Sequence, residues 1–287
     1  MLYLLQRKRS RQIPAFIASV LTRTVFATAG LATKAQRLLA VMTVGVTLAW
    51  SQAVVADDDS TTDKATNAER ITQPYHASYM LSRRGTERGE ATRSLEQTEQ
   101  EEWRYVTSTR ARMLILSDRR QNETHFKIHE GRVQPLLFDY AREGTGSNQY
   151  LRIRFDYENE QVISAGDNEV NVEWQAQLLD PNAVLHQLQI DVAGEQTSWT
   201  YPLVDERGNY RDYEFARSGT ERVTTPYGTF DTIQVERVRD HNRRQTLFWF
   251  APELNYTLVK MQQIEDNREQ LQIQLKELSF DKQEPAG

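Results

Sequence analysis

From Tyr75 to Phe280 the chain alternates apolar and polar residues with a period of two, the pattern of strands that bury one face. Tyr75, Ala77, Tyr79 and Leu81 open it, and Arg84-Gly85 predicts a turn. Strands are expected at Thr92–Glu96, through Trp103, Tyr105, Thr107 and Thr109, around Phe126 and Ile128, and over Val133–Tyr140. Leu151, Ile153, Phe155 and Tyr157 give the clearest alternation, and Val170, Val172 and Trp174 predict one more strand. Further strands are expected at Thr197–Val204, Tyr210–Arg217, Glu221–Thr225, Asp231–Arg239, Arg244–Phe250, Asn255–Ile264 and Glu269–Phe280. The links between them are short, and short links demand antiparallel neighbours.

One segment breaks this rhythm. Val184, Leu185, Leu188 and Val192 have helical spacing, with Asp180 as N-cap, Pro181 at the first helical position and Gly194 as the stop. The expected fold is all-β with one short helix: a large curved antiparallel sheet or barrel-like half-shell of about a dozen strands. No flexible linker or internal repeat divides residues 74–280, which read as a single domain followed by a polar tail at 281–287.

The N-terminal region follows different rules. Leu38–Trp50 is an apolar run preceded by Lys34 and Arg37, and short for a membrane span of ~20 residues. Val54 and Ala56 then supply the small or apolar positions of a cleavage site, so a signal peptide cut after Ala56 is expected. Its leading region is over-long, which suggests a start further along, at Val25 or Leu31. Residues 57–73 are polar without apolar periodicity and read as a disordered lead-in.

Charge and cysteine content sharpen this. The formal net charge is −5; residues 1–56 hold seven basic and no acidic residues, so their removal takes the remainder to −12. A chain of that sign repels nucleic-acid phosphates and anionic membrane surfaces. The absence of cysteine excludes disulfides and a covalent lipid anchor on a cysteine.

Gly219–Arg239 reads GTERVTTPYGTFDTIQVERVR and Phe248–Lys260 reads FWFAPELNYTLVK; GEATRSLE at Gly89–Glu96 and HEGRVQPLLFDY at His129–Tyr140 add weaker matches. These segments resemble the family numbered 3108 among the domains of unknown function (DUF3108), Gram-negative bacterial proteins with signal peptides. The resemblance spans roughly Pro74–Leu278 and implies one periplasmic β domain, with no catalytic residues to carry over. Leu258 departs from it, standing where relatives often have proline.

Candidate chemistry is sparse. His125 and His129 have the spacing that chelates zinc from a helix, but on a strand their backbones stand about 13 Å apart. No phosphate-cradling, hydrolase or metalloprotease motif occurs, and no metal or cofactor is expected. Arginines on apolar strand faces are the better clue. Arg237 shares parity with Ile233 and Val235, and Arg217 with Tyr213 and Phe215. An inward guanidinium needs a carboxylate, water or an anionic ligand. Arg217, Arg237 and Lys260 are therefore candidates to hold an acidic head group, with Trp249 a candidate ring on a covered or ligand-facing side. The expected role is non-enzymatic binding of an apolar or amphipathic envelope ligand, a lipid among them, or of a partner protein. A hydrolase with a dispersed site and an outer-membrane barrel are the alternatives.

Overall fold

A computed structural model of the chain describes residues 58–113, 116–166, 170 and 172–281. The expected signal peptide, its cleavage site at Ala56 and all but the first residue of the polar tail lie outside the described residues. Two helices and thirteen strands follow in order: α1 (Asp58–Ile71), β1 (Tyr75–Arg83), β2 (Thr86–Gln97), β3 (Trp103–Met113), β4 (Leu116–His129), β5 (Arg132–Gly144), β6 (Gln149–Asp156) and β7 (Gln161–Gly166). After α2 (Pro181–Val192) come β8 (Ser198–Val204), β9 (Tyr210–Thr224), β10 (Thr229–Val238), β11 (Arg244–Ala251), β12 (Thr257–Glu265) and β13 (Arg268–Phe280).

All thirteen strands form one antiparallel sheet in the order β7-β6-β5-β4-β3-β2-β1-β13-β12-β11-β10-β9-β8. The first strand thus sits mid-sheet against the last. The sheet is curled without closing. Phe138, Tyr140, Leu151, Ile153 and Phe155 from β5 and β6 share a buried cluster with Val204 from β8, which lies at the far end of the strand order. Leu178 fills that cluster, and Leu179 bonds the free edge of β8: its N–H donates to Pro202 O (2.9 Å) and its carbonyl accepts from Val204 N (3.0 Å). Burying side chains of this size contributes roughly 1.5–3 kcal/mol each, which holds the two limbs of the sheet near each other.

The predicted α2 is present. Asp180 caps it, its Oδ1 accepting from the N–H groups of Asn182 and Ala183 and from the Thr124 hydroxyl. The helix packs on the face that carries Tyr105, Thr124 and Phe126, here called the inner face. His186 stands buried against Tyr105 and Phe126 and is hydrogen-bonded to the Thr72 hydroxyl at 3.0 Å.

Three expectations are corrected. Residues 57–73 are not a disordered lead-in, since Asp58–Ile71 is helical. Ala68 and Ile71 are fully buried; a stripe of two small contacts is too thin to register as periodicity, and packing against α2 supplies the rest. Val170, Val172 and Trp174 make no strand; they pack on the Phe138 cluster as irregular chain, with Trp174 edge-on to Tyr157 at 4.8 Å. Alternation there records one-sided packing without a hydrogen-bond ladder. Finally, Tyr210–Arg217 and Glu221–Thr225 are one strand, because Ser218-Gly219 forms a bulge and not a reversal. Gly219, at φ +151, takes a conformation that L side chains rarely adopt.

Candidate functional site

Strand register writes out the inner face row by row. Arg93, Thr107, Asn122 and Tyr140 stand side by side across β2, β3, β4 and β5. The next row is Ala91, Thr109, Arg120 and Arg142, and the one after it Gly89, Ala111, Asp118 and Gly144. Asp118 is thereby one row from two guanidinia and accepts from both, from Arg142 Nε at 2.8 Å and Arg120 Nε at 3.1 Å. These three side chains are 13–18% exposed, so they are sheltered yet reached by water.

The other half of the inner face is apolar at the same level. Leu81, Ile273 and Met261 are register partners across β1, β13 and β12, and Leu271 and Phe248 flank them. Further along, Arg237 lies over the Tyr213 ring at 3.5 Å and Arg244 pairs with Glu265 at 3.0 Å. Burial, then repulsion from Arg237 and Arg244, pulls Arg239 down to about 10. Glu206, in the β8–β9 turn, faces both walls: Arg120 acts on it, and it acts on Tyr140 and Tyr213. Burial raises its pKa above the ordinary carboxylate value.

Arg93, partly buried, heads the Thr107 row. Its Nη1 donates to the Tyr105 hydroxyl at 3.3 Å and its guanidinium lies 5.6 Å from the Tyr79 ring centre. Burial opposes its charge, but the oxygens of Tyr105, Tyr79 and Tyr75 outweigh that and raise its pKa. Among the described residues no carboxylate pairs with it. The Tyr79 hydroxyl and Asn122 Oδ1, both buried, have no hydrogen-bond partner among the described residues.

The four residues singled out from sequence do not form one site. Arg217 closes α2: its Nη2 donates to the carbonyls of Val192 (2.9 Å) and Gly194 (3.0 Å), the free acceptors at a helix C-terminus. Arg237 is inward, as its parity requires. Trp249 and Lys260 stand together on the opposite face, the amine 4.2 Å from the ring and Trp249 Nε1 donating to Glu221 at 2.7 Å. There the tip of the β9–β10 hairpin crosses β11 and β12 to reach β13, where Tyr227 N–H donates to Leu275 O at 3.1 Å. Trp249 is thus covered, and only 2% exposed, by the protein's own hairpin. Arg93 was missed although the same signal marks it: it shares parity with Ala91 and Leu95. His125 and His129 lie on β4, and among the described residues no cluster of three or more metal-ligating side chains occurs.

The family model for DUF3108, a protein family of unknown function, matches residues 74–275, and the chain belongs to that family. No curated protein matches the sequence. Among solved structures the chain is similar to a β-barrel-like protein of the domain of unknown function DUF1849 from Brucella abortus. The identity is 10% and the TM-score 0.51, over 73% of this chain and 98% of that one. At that identity the likeness shows the fold alone. A Pseudomonas aeruginosa MucA/MucB complex also matches, at 10% identity and TM-score 0.32, over 77% of this chain and 57% of that one, too distant to carry an argument.

Proposed function

We propose that this member of the DUF3108 family is an exported, non-enzymatic binding protein of the bacterial envelope, working in the periplasm. Its ligand is an anionic amphipathic molecule held against the inner face of the curled sheet. One observation carries the reading: a single surface sets Arg93, Arg120 and Arg142 on one wall and Leu81, Met261, Leu271 and Ile273 on the other. Such a surface suits a molecule with a charged head and an apolar body. Export rests on the apolar run before Ala56.

The alternatives are weaker. An outer-membrane barrel needs a closed sheet and an apolar outer band; here β7 and β8 are separate edges, and ion pairs such as Arg104–Glu123 and Arg152–Asp139 cover the outer face. A glycan hydrolase needs two carboxylates free to act on a substrate, whereas Asp118 is engaged by two arginines.

Native mass spectrometry of protein purified from the periplasm tests the reading. An anionic amphiphile should be retained, and lost from an Arg120→Gln/Arg142→Gln variant. A ligand-free protein that also refuses added dodecyl phosphate contradicts it.

A further inference from the structure

Around Arg93 hydrogen-bond donors outnumber acceptors. The Tyr105 oxygen accepts from Tyr75 at 3.4 Å and from Arg93 at 3.3 Å, so its own proton is free to be given away. The Tyr79 hydroxyl, on a residue 1% exposed, has no hydrogen-bond partner among the described residues. Arg93 has further N–H groups beyond the one on Tyr105, and among the described residues no carboxylate pairs with it. A buried donor without an acceptor is destabilising, and a sheltered cation without an anion more so. Among the described residues the Tyr79 hydroxyl is the buried group of this cluster without a partner, and Arg93 and Tyr105 beside it have donors to spare for an oxygen acceptor carrying negative charge.

We propose that Arg93, Tyr79 and Tyr105 form a subsite for a single oxyanion, the carboxylate, sulfate or phosphate head of the bound molecule. The assignment deepens the binding role above and rests on it. Arg93 supplies the charge and the two hydroxyls supply directed donors. The head group lies in the innermost polar row of the sheet, beside the α2 N-terminus: Asn182 accepts from Thr107, the row neighbour of Arg93. The apolar body then extends along Leu81, Ile273 and Met261, with Arg120 and Arg142 one row away.

Calorimetric titration of the full exported protein with dodecyl phosphate, dodecyl sulfate and neutral dodecyl maltoside tests this. Tyr79→Phe keeps the ring and removes only the unpartnered hydroxyl, so it leaves the fold intact. It should weaken both anionic probes about tenfold and leave the maltoside unchanged. Arg93→Gln should weaken the anions by more. Phosphate affected and sulfate spared would still place an anion there and identify its class. If wild type binds the anions and Tyr79→Phe binds them equally well, the subsite is overturned while the binding role stands. If wild type binds neither anion, both readings fail.

Discussion

Arginines on the two faces of β2–β6 live in different circumstances. Outside, cations meet carboxylates across the strands, Arg104 with Glu96 and Glu123, Arg110 with Glu90, Arg119 with Glu143 and Arg152 with Asp139. Inside, Arg120 and Arg142 share Asp118, with Glu206 also acting on Arg120, and among the described residues no carboxylate pairs with Arg93. Exposure separates the faces as well: the Arg110–Glu90 side chains are 60% and 61% exposed, against 18% and 13% for Arg142–Asp118. Matched, solvated charges on one side are what a soluble surface needs. Surplus cations in a sheltered polar row make sense where an anion arrives from elsewhere.

The largest expected effect breaks the inner side of this contrast. Asp118→Asn removes the carboxylate hydrogen-bonded to two sheltered guanidinia and should cost about 3 kcal/mol in urea unfolding, a loss that dodecyl phosphate restores in part. A cost below ~1 kcal/mol would place these arginines with the outer ones.

Titration of the interior gives the next largest effect. Burial pulls His186 down to about 4 from 6.5, so the native protein binds fewer protons than the unfolded chain between those values. Its contribution is complete above pH 6.5 and is lost as the pH falls. Burial lifts Asp180 to about 7 from 3.8, so the native protein keeps a proton that the unfolded chain releases, and stability falls as the pH rises through that window. The slopes oppose. Relative to wild type, Asp180→Asn should gain thermal stability from pH 5 to pH 7 and His186→Gln should lose it, each by on the order of 5 °C. Parallel curves for all three proteins would mean that burial moves neither group away from its unfolded value.

How far was this legible beforehand? The period-two pattern gave nearly every strand, and Asp180-Pro181 located α2, because both signals are local. Burial of Ala68 and Ile71 was not legible, since it depends on a helix more than a hundred residues away. Parity placed Arg237 inward correctly, but parity says nothing of where along the curled sheet a residue falls. Arg217 therefore proved to be a helix cap. Lys260 and Trp249 proved to lie on the other face, under a hairpin whose return across β11 and β12 no local pattern announces.

Two smaller effects sharpen the contrast from outside. Asp139→Asn breaks the Arg152 pair and should cost under about 1 kcal/mol in the same urea assay, with anion affinity unchanged. Lys260→Met removes the cation over Trp249, worth roughly 0.5 kcal/mol, and should also leave dodecyl phosphate affinity intact. A loss of affinity in either variant would move the ligand to the outer face.

The most direct measurement is residue-resolved arginine labelling with phenylglyoxal, read by peptide mass spectrometry with and without dodecyl phosphate. Binding should protect Arg93, Arg120 and Arg142 and leave Arg104, Arg110 and Arg152 labelled as before. Equal protection on both faces, or protection confined to the outer arginines, would contradict an inner-face site.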